Sequence, residues 1–194
     1  MIRQIKEALR GMMNGTVSAS MRAKGLNYRM NFGVELPRLR AYAEMLPHTY
    51  ELASALWKED IRECRLLAGM LMPTEGFDGE LAEIWIEQMR FPEEAECTVM
   101  NLFCHLPEAS EKAFEWIADE RPMFQLCGFL LWGRLFMLGA EPTERDQSEF
   151  LDQTAAALQS GHQEVKFAAG KALQKFMNLG SKQEAAGERL LKTL

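Results

Sequence analysis

Four stretches of the chain repeat one design, and that repetition limits the fold more than any single motif does. They read ECRLLAGML (63–71), AECTVMNLF (95–103), PMFQLCGFL (122–130) and EVKFAAGKA (164–172). Each carries a largely apolar stripe around a small or polar residue at its seventh position: Gly69, Asn101, Gly128 and Gly170. A glycine inside a helix costs about 1 kcal/mol relative to alanine, so it needs a compensation. Close approach of a partner helix supplies one, because a bulky side chain would hold the partner off. The stretches start 32, 27 and 42 residues apart. Those intervals scatter around the length of a helix pair.

The rest of the chain from residue 35 onward is equally helical in pattern. Apolar residues at spacings of three and four predict helices over 35–46, 49–57, 60–73, 78–89, 93–106, 108–120, 122–138, 143–159, 162–177 and 181–194. Thr49, Asp60, Asp78, Thr143 and Ser181 stand where N-caps are expected. Pro47, Pro73 and Pro92 separate neighbouring segments. The stripes assign Leu36, Leu39, Tyr42, Ala43 and Leu46 to one buried face, then Tyr50, Ala53, Leu56 and Trp57, then Leu81, Ile84 and Trp85. No segment alternates apolar and polar residues for six positions, so strands are not expected. A strict tetratricopeptide or ankyrin consensus is absent. The expected fold is all-α: HEAT-like helix-pair repeats stacked as a curved alpha-alpha superhelix, an armadillo-type solenoid. It forms a single domain over 1–194, with the second helices facing a concave side.

Bulk properties exclude several classes. Of 194 residues, 47% are apolar and 26% charged, as in ordinary globular proteins. No apolar run approaches the roughly 18–20 residues that cross a bilayer, so no membrane partner is expected. The start, MIRQIKEALR, has no apolar signal core. Four cysteines without a CxxC spacing read as reduced, buried thiols, which places the protein in the cytoplasm. Residues 1–40 hold eight Lys/Arg against two acids, residues 41–120 five against eighteen, and residues 121–194 nine against eight. That is not the even basic coat of a typical DNA binder, though it leaves room for a local basic groove.

Chemistry-bearing motifs are few. There is no glycine-rich phosphate loop, no nucleophile elbow and no H-E-x-x-H. His105, Cys97 and Cys104 would need a fourth ligand that the sequence does not supply, so no metal and no small-molecule cofactor are expected. Trp57, Trp85 and Trp116 sit on apolar stripes and read as core. Trp132, beside Gly133 and Arg134, is the aromatic assigned to a functional surface. Lys166, Lys171, Lys175 and Lys182 populate the penultimate helix and its end, relieved by Glu164 alone, and Lys171 and Lys175 share a face. Arg62 and Arg65 lie on an earlier second helix. Together Arg62, Arg65, Trp132, Arg134, Lys166, Lys171 and Lys175 form the candidate nucleic-acid-binding set. Arg3, Lys6, Arg10, Arg22, Lys24 and Arg29 make a basic N-terminal arm. Thirteen methionines read mostly as core filler, and such residues also suit adaptable protein partners.

The segments NFGVELPRLRAYAEML and HTYELASALWKEDIRECRLLAGML add a family to this picture. Their GV-x-x-P-x-x-R lead-in, LA-x-x-LW helix and I-x-E-x-R-x-L-A helix resemble the front half of the DNA-alkylation-repair, AlkD-like HEAT-repeat proteins. Residues 31–71 carry most of the match, and the helix-pair rhythm continues to about residue 178. The resemblance implies a glycosylase that removes cationic alkylated purines, using an Asp flanked by Trp residues and basic contacts to phosphates. A carboxylate would stabilise the sugar cation, indoles would stack on the sugar, and Lys/Arg would hold the backbone.

This chain departs from that pattern in three places. MRFPEEAECTVMN (89–101) has neither Trp nor Asp where the family's Trp-x-x-x-Asp would fall, leaving Glu93, Glu94 and Glu96, which suit a helix N-terminus. Only Arg121 is available for the later basic position. Phe167 and Ala168 stand where the late tryptophan would. The family's catalytic residues are therefore missing, and the expected function is non-catalytic binding of nucleic acid or a protein in the concave groove. The alternatives are a DNA glycosylase excising alkylated purines in base excision repair and a protein–protein interaction scaffold.

Overall fold

A computed structural model describes all residues, Met1–Leu194, and the only strand-like feature is one parallel bridge between Met30 and Ile61. The chain divides into two compact units, Met1–Phe77 and Asp78–Leu194. The first holds α1 (Ile2–Gly11), α2 (Gly15–Ala23), α3 (Leu36–Ala43), α4 (Tyr50–Trp57) and α5 (Arg62–Leu71). The second holds α6 (Gly79–Gln88), α7 (Pro92–Asn101), a 3-10 turn (Phe103–His105), α8 (Ala109–Ile117), α9 (Pro122–Met137), α10 (Glu144–Gln159), α11 (Gln163–Met177) and α12 (Ser181–Thr193). The four repeated stretches of the sequence fall on α5, α7, α9 and α11, the second running past α7 into the 3-10 turn. The segment 93–106 is not one helix: α7 stops at Asn101, whose amide donates to the Cys97 carbonyl, and the chain tightens into the 3-10 turn.

The basic N-terminal stretch is not an extended arm. It forms α1, which buries Ile5 and Leu9, and α2, which Asn14 caps by accepting from the Val17 N–H at 3.2 Å. Thr49, Asp78 and Thr143 cap as their types dictate. Asp60 and Ser181 do not. The Asp60 side chain accepts from the Arg29 N–H and its carbonyl from the Met30 N–H, while Ser181 lies inside α12. Tyr50 and Ile84, assigned to buried stripes, are exposed.

Within the N-terminal unit one carboxylate organises the segment before α3. Glu63 is fully buried, and its two oxygens accept from the Phe32 and Val34 N–H groups, each at 3.1 Å. Arg62 donates to the Val34 carbonyl at 3.0 Å and reaches the Glu63 carboxylate at 3.3 Å. Between the two N–H donors, Gly33 adopts φ +70°, and a Cβ there would strike the backbone carbonyl of Asn14. Only glycine fits both demands. The GV lead-in and the I-x-E-x-R helix of the sequence are therefore the two halves of one buried polar clamp.

Within the C-terminal unit α9 packs against α7, α8 and α11. Its burial on nearly every side matches its unbroken apolar composition. At Gly128 a Cβ would stand 2.7 Å from both the backbone N and the Cγ2 of Ile117, so α8 and α9 meet through a bare backbone. Gly170 is different. A Cβ there would meet only Leu158 Cδ2, at 3.9 Å, an ordinary contact. The close-approach explanation holds at Gly128 and fails at Gly170. The start of α6 is tied to α8 as well: Gly79 N–H donates to Glu108 at 2.7 Å, and Lys112 bridges Glu83 and Glu115.

All four cysteines are free and buried. Burial pushes the Cys64 thiol up to about 12, with nearby Glu59 adding to it, and burial alone raises Cys127 further.

Gly128→Ala is expected to destabilise the protein by about 1–3 kcal/mol through overpacking. Gly170→Ala should instead gain up to about 1 kcal/mol from helix propensity. Denaturant midpoints of the two variants, moving in opposite directions, check this. Glu63→Ala should cost about 3 kcal/mol or more, since it removes the counter-ion of the buried Arg62 guanidinium and leaves two N–H groups without an acceptor away from water.

A candidate nucleic-acid interface

Of the seven residues singled out from the sequence, three are committed to the interior. Arg62, 4% exposed, serves the Glu63 clamp. Arg65, 8% exposed, donates to the Trp57 carbonyl at 3.1 Å and lies over the Trp57 ring at 4.0 Å. Trp132, 2% exposed, is stacked on Phe136 and edge-on to Phe114 and Phe150. Its ring is core, and its indole N–H has no partner there. None of the three presents its charge or ring face to solvent.

The other four remain on or near the surface of the C-terminal unit, and three of them converge. Lys175 on α11 reaches across to α9. A Cβ on Gly133 would lie 3.3 Å from its ammonium and 3.4 Å from its Cδ, so the missing side chain makes the channel in which this lysine lies. Arg134 follows on α9, and its Nε is buried without a hydrogen-bond partner. Lys171 stands one turn before Lys175 and faces the Phe167 ring, its ammonium 4.1 Å from the centroid. Lys166 is half-buried on the same helix.

The electrostatics of this cluster are one-sided. Arg134, Lys166, Lys171 and Lys175 form no ion pair, whereas Lys6, Lys112 and Arg121 all do. Burial, followed by the charges of Lys171 and Arg134, holds the Lys175 ammonium below the ordinary lysine value. Cations gathered without a counter-ion favour an anion, and a polyanion best.

A second feature lies where α7, α9 and α11 begin. A cavity of about 160 Å³ is lined there by Arg90, Pro92, Pro122, Met123, His162 and Glu164, among others. The neighbouring acids are used locally. Glu94 is buried, and one of its oxygens accepts from the Arg90 and Phe91 N–H groups at 2.7 and 3.3 Å, closing the start of α7. Arg121 pairs with Asp119 and Glu87 and covers the Phe124 ring at 3.5 Å. Asp119 is held below the usual carboxylate range, first by its hydrogen bond from Arg121. No three His, Cys, Asp or Glu side chains converge as metal ligands.

Sequence reasoning passed over Phe167 as a surface residue, yet it is 65% exposed, the most open aromatic of the chain. The signal was its phase. Val165, Ala168, Ala169, Ala172, Leu173 and Phe176 make the buried stripe of α11, and Phe167 falls outside it.

A lysine that binds its proton less tightly in the folded chain makes the unfolded chain the better proton binder. Its destabilising effect is full below the depressed value and fades as pH rises towards the ordinary lysine value of 10.5. Lys175→Met should therefore melt above the wild type at pH 7. The gap should narrow in melts at increasingly alkaline pH.

A sequence model of DNA alkylation repair enzymes matches residues 5–185. No curated protein matches the chain in sequence. Among solved structures, one is described as "A new family of proteins related to the HEAT-like repeat DNA glycosylases with affinity for branched DNA structures". It superposes with a TM-score of 0.85 at 15% identity, covering 98% of this chain and 81% of that one. The fold is thus that of the HEAT-like helix-pair repeats.

Proposed function

The chain belongs to the family of DNA alkylation repair enzymes, and we propose that within it this protein binds DNA through the basic face of its C-terminal unit without excising bases. The observation that carries this reading is the meeting of Arg134, Lys171 and Lys175 across α9 and α11 with no acid among them. A phosphate between these side chains would relieve their mutual repulsion. The affinity of the structural relative for branched DNA agrees with it. A protein partner would need no such acid-free cluster.

The absence of excision rests on the fate of Glu94, while Glu96 stands exposed. The carboxylate of Glu94, in the segment where the family pattern expects an Asp, is buried and closes a helix start. One observation favours the enzymatic alternative: Glu164 lines the cavity at the starts of α7, α9 and α11. Incubation with methylated DNA decides between them. No released methylpurine supports the binder, while release that Glu164→Gln abolishes would establish the glycosylase.

Binding itself is tested by its salt dependence. Each phosphate contact contributes about 0.9 to the slope of log K against log salt on duplex DNA. The double variant Lys171→Ala/Lys175→Ala should lower that slope by about 2 and weaken binding uniformly across sequences. An unchanged slope, read by fluorescence anisotropy at several salt concentrations, would move the interface elsewhere.

A further inference from the structure

Resting on the DNA-binding reading, we infer that Phe167 is a stacking platform for an unpaired base, while Lys171, Lys175 and Arg134 hold the phosphates of the strand that carries it. Phe167 keeps 65% of its surface in water although it lies on a helix with a well-filled apolar stripe. Lys171 supports the ring from its own helix, 4.1 Å from the centroid. A cation against an aromatic ring leaves the rest of that ring available to a flat partner, and every base has a π-face. Along α11 the rise of 1.5 Å per residue puts Phe167 about 6 Å from Lys171 and about 12 Å from Lys175. That distance spans a few nucleotides of one strand, with its phosphates running from Lys171 towards Lys175 and Arg134. The Phe167 side chain brings a ring face and no donor or acceptor of its own, so it would hold the base by its face and not by its edge. Stacking of that kind tolerates any sequence and excludes bases already stacked inside a duplex. The unit should therefore prefer DNA that exposes unpaired nucleotides, such as a forked duplex.

The test compares a labelled forked duplex having unpaired arms with a fully paired duplex of equal length, by anisotropy. The proteins are the full-length wild type, Phe167→Ala, Phe167→Trp and Lys175→Ala. The expected result is a wild-type preference for the fork of about tenfold. Phe167→Ala should lose that preference while binding the paired duplex as before, and Phe167→Trp should keep it. Lys175→Ala should weaken both DNAs together. With 2-aminopurine in the unpaired arm, its fluorescence should be quenched by the wild type and not by Phe167→Ala. Equal binding of fork and duplex by the wild type, or a preference that survives Phe167→Ala, overturns the stacking role and leaves the basic face standing. Binding of neither DNA at low salt overturns both. Phe167 is exposed, so its variants should melt with the wild type, and a fork-specific loss that accompanies unfolding would show in the paired-duplex arm as well.

Discussion

Close contact between bare helix backbones is the constraint on which the C-terminal unit depends. Gly128 lets α9 settle directly on the backbone of α8 at Ile117, and α9 in turn is the helix against which α7 and α11 pack. One turn further on, Gly133 performs the same service for a charged side chain, admitting Lys175 from α11 into a channel along α9. The same helix therefore sets both the packing and the placement of the cations. Arg134 is carried on it, and Lys175 is positioned against it. In the N-terminal unit the equivalent anchor is polar. The Glu63 carboxylate gathers two N–H groups and the neighbouring Arg62, and so fixes the chain that leads into α3.

How side chains divide between scaffold and surface follows from what each could pair with. Arg62 and Arg65 have acceptors and an aromatic face within reach, and they are drawn inside. Arg121 finds Asp119 and Glu87. Arg134, Lys171 and Lys175 find no acid, though Lys171 lies over the Phe167 ring. Their arrangement is an internal cost to the folded chain, and such a cost is understandable where a bound polyanion removes it.

Helix positions were legible because they rest on local rules. Thr49, Asp78 and Thr143 cap their helices through contacts three residues away, and the sequence contains everything those contacts need. Asp60 fails as a cap because its polar groups are claimed by residues 29 and 30, some thirty positions off. Stripe analysis placed Ala53, Leu56 and Trp57 correctly, but not Tyr50 or Ile84 at the edges of their stripes. The candidate site was half legible. Lys171 and Lys175 share a face by simple spacing, whereas their junction with Arg134 depends on how α9 and α11 meet. Trp132 is buried and Phe167 exposed for a plain reason. A helix as uniformly apolar as α9 has no phase from which to tell inside from outside, and α11 does.

The sequestered thiols have a chemical consequence. Electrophiles attack sulfur chiefly as the thiolate. With burial pushing the Cys64 thiol up to about 12, its thiolate is a minor species at neutral pH. Cys127 is shielded still more strongly. The fold thus keeps these two sulfurs in the protonated, weakly nucleophilic form.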